Sequence, residues 1–172
     1  MSVVNESNQI LQPPQPIKGE HQFADFNSGN AELDEWLQKR ALKNEDSGAS
    51  RTYVVTVEQT VIASYCLANG SVLNTTAPGR IRRNMPESIP VMVIGRLAVD
   101  LNWQGKGIGR ALVRDAVLRT LQAADIAGIR AILVHAISEE AKQFYERCGF
   151  IASPVATMTL MVMVKDAKAA LG

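Results

Sequence analysis

The sequence predicts an α/β fold in one domain, a β-sheet with helices packed on its faces, and three observations carry that expectation. At 172 residues the chain has the usual size of one domain with a substantial core. From residue 91 onward the hydrophobic pattern runs strand, helix, strand, helix, strand, the order that builds such a layered sheet. Residues 131–137 are nearly continuous apolar sequence, as in a strand covered on both faces.

The elements follow in order. Residues 1–18, with Pro13, Pro14 and Pro16, read as an extended or disordered lead-in, because proline removes a donor and restrains its predecessor. The domain itself is expected over 19–168. Residues 23–26 read as a short strand. Asn30 or Ser28 caps a helix in which Leu33, Trp36, Leu37, Arg40 and Ala41 recur at helical spacing, ending near Asn44. After a turn at 46–50, the β-rich runs 52–57 and 61–67 flank Glu58, Gln59 and Thr60, which predicts a hairpin. Residues 70–90 form a long connection, a kind of segment that is usually functional or disordered. Residues 91–99 are the next strand, and 108–124 a helix with Leu112, Val113, Ala116, Val117 and Leu121 along one stripe, closed by Gly128. The strand at 131–137 leads to Ser138, which caps a helix over 139–147 ended by Gly149. Residues 159–164 are the last strand.

Composition narrows the function. With 47% hydrophobic and 20% charged residues and a net charge of +1, the chain reads as a soluble globular protein and not as a globally basic nucleic-acid binder. No apolar run approaches the ~20 residues that span a bilayer. Residues 1–16 lack the basic and apolar regions of a signal peptide, so a cytoplasmic location is the default expectation. Cys66 and Cys148 lie far apart, which argues against a disulfide framework. Cys148 follows Arg147 and reads either as a nucleophile or, the preferred reading, as a small residue ending a helix. His21 and His135 do not cluster, so zinc is not expected. Charge is uneven: residues 39–83 carry seven basic and three acidic side chains, among them Lys39, Lys43, Arg80, Arg82 and Arg83. Such a group is either a phosphate-contacting face or a solvated one.

The most specific signal is Gln104-Gly105-Lys106-Gly107-Ile108-Gly109, between a strand and a helix. Glycines there let the backbone approach an anion, so that N–H groups and the positive end of the helix cradle phosphate oxygens. Neither a Walker loop nor a Rossmann fingerprint is satisfied, since the Gly-Lys-Ser/Thr offset and the following acidic residue are missing.

The same residues resemble the Gln/Arg-x-x-Gly-x-Gly/Ala pyrophosphate loop of the GNAT acetyltransferases, with Gln104, Gly107 and Gly109 at the defined positions. The resemblance extends to Gly95-Arg96-Leu97-Ala98-Val99-Asp100 and to the helix Ala141-x-x-x-Tyr145-x-x-x-Gly149-Phe150, where Ser138 replaces the asparagine of many relatives. Within that superfamily the stretch from Phe26 to Phe150 is similar to the acetyltransferase toxins of type II toxin–antitoxin modules, the TacT/AtaT group. Leu33-Asp34-Glu35-Trp36-Leu37, Gly48-Ala49-Ser50-Arg51-Thr52 and Arg82-Arg83-Asn84-Met85-Pro86 carry that similarity.

The resemblance implies a GNAT fold, a mixed central sheet flanked by helices on both faces, with acetyl-CoA as acetyl donor. It implies a cofactor set of Leu97, Ala98, Val99, Gln104, Gly105, Lys106, Gly107, Ile108, Gly109, Arg110 and Ser138. Transfer would go to the α-amino group of aminoacyl-tRNA, approached by Lys39, Lys43, Arg80, Arg82, Arg83 and Arg96. A ribbon-helix-helix antitoxin would neutralise the toxin, operator DNA would be bound through that complex, and the toxin would form a homodimer away from any membrane.

The chemistry suits these residues. A phenol with a reference pKa of ~10 stays protonated at neutral pH, so Tyr145 is the candidate proton donor to a departing thiolate. No carboxylate or histidine stands out as a general base, and an α-amine near ~8, lowered further by the ester, can lose its proton to water. Two alternatives stand beside this reading. One is a GNAT N-acetyltransferase for a small-molecule or protein amine; the other is a non-catalytic module that binds DNA with an antitoxin.

Overall fold

A computed structural model describes residues 3–4 and 10–171. In chain order its elements are β1 (Val3–Val4), β2 (Ile10–Leu11), β3 (Gln15–Pro16), α1 (Ala31–Lys39), α2 (Ala41–Ser47), β4 (Arg51–Val57) and β5 (Thr60–Leu73). Then come α3 (Gly79–Arg82), β6 (Ser88–Val99), a 3-10 turn (Leu101–Trp103), α4 (Ile108–Ala124), β7 (Ala131–His135), α5 (Glu139–Arg147), β8 (Ile151–Ala152), β9 (Thr159–Met163) and α6 (Val164–Leu171). The chain divides into two compact units, Met1–Leu67 with Arg96–Leu112, and Ala68–Gly95 with Val113–Gly172. Strands β5 and β6 and helix α4 contribute residues to both.

In the first unit the strands run β1-β2-β4-β5-β6, with β3 also paired to β4. Of the lead-in expected over 1–18, residues 1–2 and 5–9 lie outside the described residues, and the described ones include β1, β2 and β3. Gln12 N–H donates to Thr56 O at 2.9 Å and Ile17 N–H to Thr52 O at 2.9 Å, while Leu11 and Ile17 are buried. Pro13 and Pro14 lie between β2 and β3, and Pro16 is tolerated because β3 is a two-residue strand along β4 that needs few donors. Residues 23–26, expected as a strand, form a turn closed by Phe26 N–H to Phe23 O at 3.2 Å. Two aromatics three residues apart imitate a strand pattern, yet the turn brings both to one core with Ile17, Leu37, Ala41, Val54, Val61 and Ala98.

Of the two proposed caps, Asn30 is the residue that caps α1, its Oδ1 accepting from Leu33 N–H at 3.1 Å. Ser28 braces the same turn, its hydroxyl donating to Asp34 Oδ1 at 2.7 Å. The single helix expected through Asn44 is two: Arg40 opens to φ −119° with ψ −32°, still in the right-handed region, and α2 runs on to a left-handed Gly48 at φ 81°. Nothing local in the sequence signals that break. The hairpin is present, β4 and β5 pairing Val57 with Thr60 around Glu58 and Gln59.

In the second unit the order is β5-β6-β7-β9-β8. Here β6 and β7 pair in parallel from Val91/Ala131 to Ile94/Val134, while β7–β9 and β8–β9 are antiparallel, so the sheet is mixed. Ala131 to Val134 are all buried, which is what the apolar run anticipated. The long connection at 70–90 is shorter than expected, because β5 continues to Leu73, α3 interrupts the remainder and β6 starts at Ser88. The buried stripe of α4 ends on Thr120 instead of Leu121, and the Thr120 hydroxyl donates to Ala116 O at 2.8 Å. The last strand stops at Met163, where α6 begins. Among the described residues no helix is long and apolar enough to cross a membrane.

Candidate functional site

The first unit holds the loop singled out in the sequence. Its approach begins at β6, where Arg96 takes φ 56°, a left-handed conformation that a non-glycine residue adopts only under constraint. The register with β7 ends just before it, at Ile94. Such a break in the ladder is the usual way a strand frees main-chain groups for another use, and Leu97, Ala98 and Val99 are the residues that follow.

The chain then turns over Asp100, whose Oδ1 accepts from Asn102 N–H at 3.0 Å and whose Oδ2 accepts from Asn27 N–H at 3.1 Å. Gln104 is a brace: its Nε2 donates to Val99 O at 2.8 Å and to Ser28 O at 2.9 Å, tying the loop to the end of β6 and to the entry of α1. Gly105 at φ 77° and Gly107 at φ 81° need the freedom only glycine has. A Cβ at either would meet nothing within 4 Å, so the backbone faces open space on that side. Ile108 is buried and anchors the start of α4, whose first turn presents N–H groups that have no intrahelical partner. This is the geometry of an anion cradle at a helix N-terminus. Lys106 stands 5.9 Å from the Trp103 ring centroid, Gly109 is half-buried and Arg110 is exposed. The sequence reading missed Asp100 and Trp103 as supports; the signal available was an acidic residue immediately before a short turn.

Three basic candidates belong to this unit. The Arg96 guanidinium lies 5.6 Å from the Trp36 ring centroid and 3.8 Å from Glu32. Lys39 pairs with Glu35 at 3.2 Å, whereas Lys43 is exposed and has no ion partner among the described residues.

The second unit holds Tyr145, buried in α5 with its ring edge-on to Phe144 at 5.2 Å and to Phe150 at 5.7 Å. Burial pushes its phenol up to about 12, and Cys148 close by acts in the same direction. Cys148 ends the helix, its N–H bonded to the carbonyls of Phe144 and Tyr145, as the plainer reading expected. The Ser138 hydroxyl accepts from Ala141 N–H at 3.1 Å, so its first task is to cap α5. Arg80 is locked to Asp166, while Arg82 and Arg83 are exposed with no ion partner among the described residues.

Comparison with known proteins adds three relatives and a family. Residues 48–152 match the family model for an acetyltransferase (GNAT) domain. Over 159 residues the chain is 47% identical to a tRNA-acetylating toxin of Mycobacterium tuberculosis (strain ATCC 25618 / H37Rv), spanning 92% of this chain and 96% of that protein. The structure of AtaT complexed with acetyl-methionyl-tRNAfMet has the same fold, with a TM-score of 0.86 at 24% identity over 94% of this chain and 99% of that one. AtaTR bound with AcCoA aligns with a TM-score of 0.82 at 25% identity, over 94% and 98% of the two chains.

Proposed function

The chain belongs to the GNAT acetyltransferase family, and from that premise we propose that it is a toxin transferring acetyl from acetyl-CoA to the α-amino group of aminoacyl-tRNA, which blocks translation. The observation that carries this reading is the match, over nearly the full length of both chains, to a tRNA-acetylating toxin. The loop supports the cofactor half of it independently, because Gly105 and Gly107 leave the backbone open to a pyrophosphate.

Acetyl-CoA supplies an activated acetyl thioester when bound. The N–H groups at 105–109 and the positive end of α4 receive its phosphates, with Lys106 and Arg110 adding charge. The main chain of Leu97, Ala98 and Val99 would hold the extended arm, with Val99 N–H as the donor toward the acetyl carbonyl, and Ser138 would contribute a hydroxyl beside its capping role. Gln104 acts by holding the loop in shape. Tyr145 keeps a proton at Oη for the departing sulfur. No side chain is assigned as a base, because the amine of an aminoacyl ester is neutral in good part near pH 7. Lys39, Lys43, Arg82, Arg83 and Arg96 are assigned to the RNA. The partners follow the same family reading: a ribbon-helix-helix antitoxin, operator DNA bound through that complex, and a second copy in a homodimer, all in the cytoplasm.

The test incubates purified protein with labelled acetyl-CoA and total charged tRNA, beside uncharged tRNA and a Tyr145→Phe variant. The expected result is label on charged tRNA alone, formed about 10²–10⁴-fold more slowly by the variant. Turnover on free amines with none on charged tRNA would overturn the substrate assignment in favour of a small-molecule or protein amine. Full activity of the variant would remove Tyr145 from the chemistry.

A further inference from the structure

The three arginines at 80–83 look alike in the sequence but not in the fold. They lie on and beside α3, a four-residue helix far too short to persist by its own hydrogen bonds. Pro78 precedes it without a side-chain cap. Three ties from elsewhere in the second unit hold it. Ile81 is buried in a cluster with Ala77, Ile89, Val91, Leu133 and Met161. The Arg130 guanidinium covers the helix carbonyls, Nε donating to Ile81 O at 3.0 Å and a terminal nitrogen to Arg80 O at 3.2 Å. Arg80 reaches Asp166 with a two-pronged contact, at 2.6 Å and 2.7 Å.

Arg130 is well placed to act as a clamp. Its own N–H donates to Pro90 O at 2.9 Å and its carbonyl accepts from Val164 N–H at 3.1 Å, so its backbone is fixed between β6 and the start of α6. Asp166 sits in the first turn of α6, where a helix favours a carboxylate, and the Arg80 guanidinium holds its carboxyl below the usual range. Just past α3, Asn84 at φ 62° turns the chain and Met85 packs against the same apolar cluster. Arg82 and Arg83 are therefore displayed outward from a segment pinned on either side of them.

We infer that Asp166 and Arg130 are positioning residues for the RNA acceptor: they hold α3 so that Arg82 and Arg83 meet phosphates, and Arg80 is the tether and not a third phosphate contact. This rests on the aminoacyl-tRNA reading above. The two-pronged pair takes two of the five N–H donors of Arg80 and sets a carboxylate against its charge, so Arg80 has less to offer RNA while the pair stands.

A charge swap tests it. Arg80→Asp and Asp166→Arg are each expected to raise KM for charged tRNA about threefold to tenfold, in the lower part of the range over which contacting pairs couple, with KM for acetyl-CoA unchanged. The double variant, which remakes the pair in reverse at constant net charge, is expected to return KM to within about twofold of the starting protein. If Arg80 touches phosphate instead, Asp166→Arg alone tightens tRNA binding and the double variant stays as poor as Arg80→Asp. Should the double variant not fold, salt titration of tRNA binding decides with gentler changes. Arg82→Ala and Arg83→Ala are each expected to flatten the slope of log K against log salt by about 0.7–0.9, while Arg80→Gln and Asp166→Asn, which cut the same tether from its two ends, are expected to weaken tRNA binding to the same extent. Weaker binding by Arg80→Gln beside unchanged or tighter binding by Asp166→Asn overturns the inference. Absence of any charged-tRNA turnover by the unaltered protein defeats the parent reading instead, and the two failures are distinct.

Discussion

Tyr145 has a proton that is hard to remove. Its ring is enclosed by Phe144 and Phe150, and burial disfavours the phenolate, so the group stays protonated until about pH 12, above its ordinary value near 10. A raised pKa stabilises the protonated form at every pH below it, which gives kcat/KM for charged tRNA a definite shape. The rate should climb as the acceptor amine loses its proton, at or below about pH 8, and then stay level to about pH 10 with no alkaline fall from this residue. Initial rates across pH 6–10 check it; a decline between pH 8 and 10 would mean that another group delivers the proton. At this scale much was legible, because Gly105 and Gly107 can be recognised as positions that need special backbone freedom. The role of Gln104 was not, since a side chain that bonds Ser28 O across 76 residues of sequence leaves no local trace.

Helix ends marked by a side chain were the elements best read from the sequence. Asn30 and Ser138 each accept from the N–H three residues on, and both were visible as small polar residues ahead of a periodic apolar pattern. Replacing Asn30 by Ala removes the acceptor for Leu33 N–H and should cost about 1 kcal/mol, whereas Asn30→Asp should cost far less. Urea unfolding of the two variants separates the cap from any general effect of mutation; equal loss in both would show that the cap is not what matters. Elements held by distant partners escaped the sequence reading. α3 exists because Arg130 and Asp166 tie it down, and β2 and β3 become strands only because β4 offers them an edge. Neither cause is encoded near the residues it acts on, and the same holds for the break at Arg40, whose backbone opens without proline or glycine. β7 was legible for the opposite reason, since burial on both faces writes itself into every position of the strand.

Over the whole molecule the net charge is only +1, so RNA cannot be held by a general positive field and must be gripped by a few local cations. Six were named from the sequence, and the fold divides them. Lys39, Arg80 and Arg96 each have a carboxylate beside them, at 3.2, 2.6 and 3.8 Å, while Lys43, Arg82 and Arg83 have no ion partner among the described residues. Every phosphate neutralised by a free cation releases counterions, and for single-stranded or irregular RNA this contributes about −0.7 to the slope of log K against log salt. A cation that must first leave a carboxylate contributes less, because one ion pair replaces another. Binding of charged tRNA should therefore show a shallow slope, about −2, set by three unpaired residues, and not the value near −4 that all six would give. Acetyl-CoA carries phosphates of its own, so its KM must be followed over the same salt range and its slope kept apart from that of the RNA. A value near −4 would mean that the carboxylates let go when RNA arrives, with Glu32 and Glu35 the first to examine because both of their pairs are exposed. A value near zero would mean that the basic side chains are no more than a solvated face, and the acceptor would have to be recognised by its amino acid alone.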